Sequence, residues 1–167
     1  YNDSGAFIAT SRLALRFSEV QPNGPRTFVA KLFAGREEEP MARLITMSAE
    51  GRELKTIAEF PSERPPEIKG HRLSNPYAPR AVQATFPSGG GVCGYSSEYK
   101  LLVFDGAGDI TTSFECGAPR EPITAKEKRD LVDRYLKRQE KLTFGAKLSR
   151  HETSRAYELD KYAYHPF

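Results

Sequence analysis

Apolar and polar side chains alternate along most of the first 115 residues, which is the pattern of β-strands with one buried face. The alternation is clear in 12-RLALRFSE-19 and in 26-RTFVAKLFAG-35, and the turn 21-QPNGP-25 separates these two segments. Glycine and proline in such a turn let the chain reverse its direction within a few residues. The same pattern predicts further strands at 5–10, 43–48, 52–60, 80–86 and 92–96.

The segment 99-YKLLVFDGAGDITTSFE-115 predicts a complete β-hairpin. Leu102 and Phe104 alternate with their neighbours before the break at Gly106-Ala107-Gly108, and the alternation resumes after it. Asp105 can accept hydrogen bonds from the backbone that follows it, and glycines tolerate a positive φ. A calcium loop would need further oxygen ligands and a distal glutamate at a fixed spacing. The DGAG sequence is therefore interpreted as a turn.

The segment 124-TAKEKRDLVDRYLKRQEKL-142 predicts one amphipathic helix. Thr124 and Glu127 have the spacing of a capping box, in which each side chain bonds to the backbone N–H of the other residue. The opposite face carries both signs of charge and is interpreted as solvated, with docking of a partner as the alternative. The apolar residues form a stripe at helical spacing: Leu131, Val132, Tyr135, Leu136 and Leu142.

Two further segments lack the strand pattern. The segment 61-PSERPPEIKGHRLSNPYAP-79 is rich in proline, which fixes φ and removes a backbone donor, so an irregular surface loop is predicted. The end of the chain, 155-RAYELDKYAYHPF-167, is aromatic. We expect its tyrosines to pack as strand residues, with an interface stripe as the alternative.

Two parts of the chain resemble each other. The segment 44-LITMSAEGRELKTI-57 aligns with 101-LLVFDGAGDITTSF-114, which places Gly51 over Gly108 at an offset of 57 (108 less 51). The preceding segments 5–11 and 90–96 also correspond, at a larger offset of 85 (90 less 5). The first unit is therefore the longer of the two. The hairpin at 12–35 is interpreted as an insertion, or as an extended pair of strands, that accounts for the difference.

Antiparallel units that repeat at intervals of tens of residues are typical of β-propellers. The pair FIATS … LITMSAEGRELKTI and VCGYS … EYKLLVFDGAGDITTSFE resembles blades of the six-bladed β-propellers of the NHL and TolB-like kind, which are common among bacterial exported proteins. The segments PITAKEKRDLVDRYLKRQEK and YAYHPF resemble an insertion between blades in uncharacterised members. The resemblance implies an all-β fold of four-stranded antiparallel blades, about two to three in number, with one inserted amphipathic helix.

The resemblance divides the chain into five segments. They are a first blade with the inserted hairpin (1–60), the proline-rich loop (61–79), a second blade (80–118), a helical insertion (119–150) and the start of a further blade (151–167). A blade needs about 40 to 50 residues, and a closed ring needs at least about four blades. We therefore expect the chain to be part of a longer polypeptide, or its open edges to be covered by another chain.

The composition is ordinary for a globular domain, with 167 residues of which 38% are hydrophobic and 28% charged. The 25 basic residues nearly balance the 22 acidic ones, and the small net charge of +3 argues against nucleic acid as a partner. No apolar run approaches the roughly 18 to 20 residues that span a bilayer, so no transmembrane segment is predicted. The first residues also lack the pattern of a signal peptide.

No catalytic residue, cofactor or metal site is predicted. The match to G-x-G-x-x-G at 89–94 lacks the following helix that a dinucleotide site requires, the histidines lack zinc-binding spacing, and no G-x-S-x-G motif is present. Cys93 and Cys116 could form a disulfide, supply half of a metal site or remain free thiols, and buried free thiols are favoured. An intervening strand would hold their Cα atoms about 9 to 10 Å apart, and a disulfide bridges only about 7 Å.

The resemblance implies a non-catalytic binding or scaffold module that binds protein partners in the periplasm or outside the cell. One alternative is an accessory subunit peripheral to a larger membrane-associated assembly. Another is a metal-dependent propeller hydrolase of the lactonase type, with a divalent ion in the central channel. Because loops and insertions carry function on such scaffolds, the candidate partner-facing residues are Pro65, Pro66, Tyr77, Arg134, Lys137, Arg138, Tyr162 and Tyr164.

Overall fold

A computed structural model describes residues 17–35, 39–115, 117–141 and 146–166. Among these residues the strand content is 42% and the helix content 16%, in three antiparallel sheets and two helices. The prediction of an all-β fold with a small helical part is therefore confirmed.

The first sheet is a meander of four antiparallel strands whose order in space follows the sequence. Leu44 and Ile45, which point to opposite faces of the third strand, are both fully buried, so the sheet is covered on both sides. The four strands are β1 (Phe17–Pro22), β2 (Thr27–Gly35), β3 (Pro40–Ser48) and β4 (Glu53–Pro61).

The described part of the hairpin at 12–35 is not an insertion. Strand β2 pairs with β3 without interruption, from Thr27 opposite Ser48 to Gly35 opposite Pro40. This continuous ladder makes β1 and β2 the first half of the meander, so the interpretation as an extended pair of strands agrees with the described residues and the interpretation as an inserted hairpin was wrong. The strand predicted at 5–10 lies outside the described residues.

The proline-rich segment 61–79 contains a short hairpin of β5 (Glu67–Ile68) and β6 (His71–Arg72). The chain reverses at Lys69 and Gly70, whose φ angles are 51° and 80°. The rest of the segment has no regular secondary structure, so the prediction of an irregular loop missed only this hairpin.

The second sheet is also a four-stranded antiparallel meander, with strand order β10-β9-β8-β7. Its last strand forms one edge of the sheet and is exposed along its whole length. The strands are β7 (Ala81–Thr85), β8 (Gly91–Tyr95), β9 (Lys100–Phe104) and β10 (Ile110–Glu115).

The turns after β3 and β9 contain the same hydrogen bonds. The side chains of Ser48 and Asp105 each accept the backbone N–H groups of the second and fourth residues that follow. The backbone N–H of each also bonds to the carbonyl four residues later, at 2.9 Å for Ser48 and 3.0 Å for Asp105. Gly51 and Gly108 occupy the same place in the two turns, with φ of 82° and 89°. The predicted turn at DGAG is confirmed.

The two four-stranded sheets pack face to face around one apolar core. The rings of Phe60 and Tyr95 stack across it, with centroids 6.0 Å apart. Burial of these side chains supplies the main free energy that holds the sheets together. The buried residues of the core are Val29, Ala42, Leu44, Ile57 and Phe60 from the first sheet, and Ala81, Cys93, Tyr95 and Phe104 from the second.

Two turns link the sheets at one end of this core. Asn23, between β1 and β2, is only 2% exposed. Its side-chain oxygen accepts the backbone N–H of Gly90 at 2.6 Å, and its side-chain nitrogen donates to the carbonyl of Gly106 at 3.0 Å. Gly108 packs closely against the first sheet, because a Cβ at this position would lie 2.9 Å from Cγ2 of Thr46.

Helix α1 (Ala125–Glu140) begins where the sequence predicts it. Thr124 is the N-cap residue, and Glu127 completes the capping box. Val132 of the predicted apolar stripe is buried, whereas Leu142 lies outside the described residues.

A second helix, α2 (Arg150–Ala156), occupies the segment expected to start a further blade. Its N-cap is Ser149, which forms a second capping box with Glu152. The chain continues in turns, and in the described part of 151–167 the one ladder contact is an isolated bridge between Pro122 and Tyr164. The expectation of blade strands in 151–167 was therefore wrong.

The helices and the proline-rich segment share a small apolar core, which we call the helical cluster. The side chain of Asn75 donates to the carbonyl of Tyr157, and the hydroxyl of Tyr135 lies 3.0 Å from Nδ1 of His71. The proline-rich segment is thus the packing partner of the helices. The cluster contains Leu73, Tyr77, Leu131, Val132, Tyr135, Leu136, Tyr157 and Leu159.

Candidate protein-binding surface

The face of the second sheet that points away from the first sheet carries an exposed apolar row. Val82 lies opposite Gly94, Gly94 opposite Leu101, and Leu101 opposite Phe114. Because directly opposed residues share one face of a sheet, the row crosses all four strands. The exposed fractions are 37% for Val82, 43% for Leu101 and 60% for Phe114.

A second row runs beside the first on the same face. It joins Ala84, Val92, Val103 and Thr112 through the same strand pairings. We call the eight residues of the two rows the outer face of the second sheet. Seven of them are glycine or apolar, with Thr112 as the exception. A contiguous apolar patch on a folded surface marks a site of interaction more often than a scattered residue does.

A groove of about 320 Å³ lies beside the first row, between Val82, Leu101 and Phe114, and residues of the turn between β8 and β9 also line it. Within the row, Gly94 is required by the close approach of β9, because a Cβ at this position would lie 2.6 Å from the carbonyl oxygen of Lys100 and 3.0 Å from Cδ2 of Leu101. Lys100 pairs with Glu115 at 3.0 Å beside this groove, which places polar groups at the rim of an apolar surface.

Strand β10 leaves one edge of the second sheet open, while β4 is the corresponding edge of the first. Edge strands commonly carry charges or proline that discourage pairing with other chains. Strand β4 follows this rule with Glu53, Lys55, Glu59 and Pro61, whereas the six residues of β10 include only one charged residue, Glu115. The open edge and the outer face meet at Phe114 and therefore form one continuous exposed surface.

Three of the predicted partner-facing residues lie together beside α1. Tyr77, Arg134 and Lys137 line a shallow depression, and its other lining residues are three carboxylates, those of Glu127, Asp130 and Asp133. Burial raises the pKa of the Tyr77 hydroxyl, and the ring of this tyrosine meets His165 edge-on, with centroids 5.4 Å apart. Because opposite charges offset each other here, the depression does not form a charged docking surface.

The structure does not bring the other predicted residues into one surface. Pro65 and Pro66 line two different depressions, and Arg138 lies in the last turn of α1. Tyr162 and Tyr164 lie near each other along a third depression. Tyr164 is 48% exposed, and the buried hydroxyl of Tyr162 has no hydrogen-bond partner among the described residues.

Sequence analysis missed the outer face, although one signal pointed to it. The run Leu101 to Phe104 is apolar at every position, and continuous apolar strands are typical of sheets that are covered on both faces. The structure covers Phe104, which is 1% exposed, and leaves Leu101 at the surface.

The remaining candidate chemistry has structural explanations. Cys93 is a free, buried thiol, and burial raises its pKa to about 11, so it is a poor nucleophile, whereas Cys116 lies outside the described residues. Asp105 is occupied by backbone N–H groups, which lower the pKa of its carboxyl. Strand β8 begins at Gly91, within the match to G-x-G-x-x-G at 89–94, where a dinucleotide site would need a helix. Among the described residues, no three His, Cys, Asp or Glu side chains are grouped to hold a metal ion.

Comparisons of the chain with protein-family models, with curated proteins and with solved structures find no match. Within the described part of the chain, neither helix combines the length and the apolar composition needed to cross a membrane.

Proposed function

We propose that the chain is a non-catalytic protein-binding module that docks a partner protein on the outer face of the second sheet. The observation that carries the proposal is the row from Val82 through Leu101 to Phe114, in which large apolar side chains remain at the surface beside a groove. Full burial of one such side chain contributes about 1.5 to 3 kcal/mol. These three side chains are already partly covered, so a partner gains only the part of this free energy that belongs to their exposed fractions of 37%, 43% and 60%, and its contacts with the rest of the outer face must add to it.

The form of the surface supports a protein partner over a small ligand. The apolar residues are spread across four strands, so they form a broad surface that extends beyond the groove. Small-molecule sites instead enclose most of the ligand surface in a concave pocket. An apolar centre with an ion pair of Lys100 and Glu115 at its rim has the usual anatomy of a protein interface.

The resemblance to six-bladed propellers supports the same proposal, because such scaffolds commonly serve as protein-binding platforms. On the same resemblance, we also propose a location outside the cytoplasm and a place in a larger assembly. Both remain predictions of the resemblance.

Matched leucine variants test the function. Leu101 lies on the outer face, whereas Leu54, which is 56% exposed, lies on β4 of the first sheet. Proteins that copurify with the chain from its source cells would be identified, purified, and titrated against the wild type, Leu101→Asp and Leu54→Asp by calorimetry. We expect Leu101→Asp to weaken binding by at least about tenfold, because a charge would be buried at the centre of the interface.

The control Leu54→Asp should bind as the wild type does. Circular dichroism and the urea midpoint would establish that both variants are folded. The proposal fails if the folded Leu101→Asp variant binds every purified partner with unchanged affinity, or if no saturable partner is obtained.

A further inference from the structure

The two four-stranded sheets correspond in the strand pairings of their second halves. Leu44 pairs with Ala58 as Leu101 pairs with Phe114, and Thr46 pairs with Lys55 as Val103 pairs with Thr112. The register shifts directly after the Thr46 and Val103 pairs in both sheets, and it shifts once more in the first sheet, between Leu44 and Ile45. Counterparts assigned by pairing therefore have an offset of 57 at Leu44 (101 less 44) and of 56 at Ala58 (114 less 58).

The first halves correspond as well, with a different offset. The turn between β1 and β2 closes with a bond from the N–H of Asn23 to the carbonyl of Thr27, and the turn between β7 and β8 closes with the same bond from Phe86 to Gly90. Asn23 and Phe86 are therefore counterparts, and the same offset makes Val92 the counterpart of Val29. The two halves agree where they meet, because Val29 pairs with Thr46 as Val92 pairs with Val103.

This correspondence relates the face with which the first sheet touches the second sheet to the outer face of the second sheet. The first sheet touches the second with Val29 and Leu44, which are fully buried, and with Ala58, which is half-buried against the same core. Their counterparts are Val92, Leu101 and Phe114, which lie on the outer face. The second sheet therefore presents to solvent the same surface with which the first sheet binds the second. The contact between the sheets joins two different faces, and the second sheet has one of each kind. A further sheet can therefore dock on the second sheet in the same way, head to tail.

We infer that the occupant of the outer face is a third four-stranded antiparallel sheet, from outside these 167 residues, that docks as the second sheet docks on the first. This inference rests on the proposed function and names the kind of partner. The docking face of that sheet should resemble the inner face of the second sheet, which presents Ala81, Cys93, Tyr95, Leu102 and Phe104.

A second copy of the chain does not offer such a face. The face of its second sheet that carries Cys93 and Phe104 is covered by its own first sheet. The counterpart face of its first sheet is also buried, since its residues are at most 6% exposed. The buried residues of that counterpart face are Ala30, Leu32, Ile45 and Met47.

The first interface also predicts individual contacts of the second. Lys55 forms an ion pair with Asp109 across the existing interface, and the counterpart of Lys55 is Thr112. Lys31 reaches across to the carbonyl of Ala81 at 3.4 Å, but its counterpart is Gly94. The docking sheet should therefore place the turn after its third strand near Thr112, and it should present an apolar side chain where the first row passes Gly94.

A tethered sheet tests the geometry. The full chain would carry at its carboxyl end a flexible Gly/Ser linker of about 30 residues and a second copy of residues 80–118, which raises the local concentration of the added copy to the millimolar range. Thr112→Cys in the chain and Asp109→Cys in the added copy form the reporting pair. The background carries Cys116→Ser in both copies and Cys93→Ala in the added copy.

We expect the disulfide between Thr112→Cys in the chain and Asp109→Cys in the added copy to form quickly, because docking holds these two residues together. It should form about tenfold faster than the disulfide in a control protein, in which the chain carries Lys126→Cys on α1 in place of Thr112→Cys. Leu101→Asp in the chain should abolish the difference. Equal rates at the two positions would overturn the inference, since an undocked copy reaches both by chance.

Two further results would distinguish the proposed third sheet from a second copy of the chain and from a partner of another kind. Self-association of the unextended chain that depends on Leu101, measured by sedimentation velocity, would assign the face to a second copy and overturn the inference. If a natural partner requires Leu101 but the tethered sheet shows no preference, the proposed function holds and the sheet partner is wrong.

Discussion

The side chain of Asn23 in the first sheet accepts the backbone N–H of Gly90 in the second, at 2.6 Å, where almost no water reaches it. The same amide group donates to the carbonyl of Gly106. One residue thus satisfies backbone groups in two turns of the second sheet. Because buried backbone groups are costly to leave without partners, this residue fixes the position of one sheet on the other.

We expect Asn23→Ala to destabilise the chain by about 2 to 4 kcal/mol, because it leaves the Gly90 N–H and the Gly106 carbonyl without their partner. Urea unfolding, followed by tyrosine fluorescence, measures the change. The control Ser88→Ala lies on an exposed turn position and should stay within about 0.5 kcal/mol of the wild type. A loss below about 1 kcal/mol for Asn23→Ala would show that water replaces the amide group.

Gly108→Ala should destabilise the chain by about 2 to 4 kcal/mol, since the φ of 89° strains any residue with a Cβ and that Cβ would crowd Thr46. Gly117→Ala is the matched control, because a Cβ there meets no atom within 4 Å. The double variant Gly108→Ala with Thr46→Ser removes the crowding and leaves the backbone strain. It should recover part of the stability in thermal unfolding, and a full recovery would contradict the strain at φ.

The thiol of Cys93 should resist modification in the folded chain. Burial raises its pKa to about 11 from the ordinary value of 9.0, so its thiolate fraction at pH 8 is about a hundredfold lower. In a Cys116→Ser background, labelling by a disulfide reagent should be slow without urea and rapid in urea. Rapid labelling of the folded chain would mean that the space between the sheets opens readily.

The same thiol gives stability a pH dependence at the alkaline end. A group whose pKa is raised in the folded state stabilises fully below its unfolded pKa, and that contribution is lost as the pH rises toward the folded pKa. We expect the free energy of unfolding to fall between about pH 9 and about pH 11. A Cys93→Ala variant should show a smaller decline across this window in urea titrations at successive pH values.

Glu152 should remain ionised at unusually low pH. The hydrogen bond from Lys69, together with the backbone N–H of Ser149, lowers the pKa of its carboxyl to about 2 from 4.5. Its stabilising contribution is therefore present above about pH 4.5 and is lost as the pH falls toward about 2. Lys69→Met should raise this pKa in a carbon-13 NMR titration, whereas Lys161→Met, a nearby control, should leave it unchanged.

Local signals in the sequence predicted much of the fold. The period-two alternation and the DGAG turn located the hairpin of β9 and β10, and Thr124 with Glu127 located α1, because each feature depends on neighbours in the sequence. The same logic applies to Ser149 and Glu152, whose capping box marks α2. That signal was overlooked because the aromatic residues after it suggested strands.

The candidate surface could not be predicted from neighbouring residues in the sequence, because it depends on how the two sheets pack. Leu101 and Phe104 are both apolar and three residues apart, and only the packing of the two sheets decides which one is covered. Asn23 likewise has the appearance of an ordinary turn residue, and its role depends on Gly90, 67 residues further along the chain. The predicted partner-facing residues were chosen from loops and the helix, whereas the exposed apolar area lies on strands.

The residues of the helical cluster come from segments before and after the second sheet in the sequence. The contact of Asn75 with Tyr157 joins residues 82 apart, and that of His71 with Tyr135 joins residues 64 apart. Closing such long loops costs conformational entropy, and a folded sheet within the loop shortens the flexible chain that must be closed. The cluster and the second sheet should therefore stabilise each other through chain connectivity, in addition to any atoms that they share in contact.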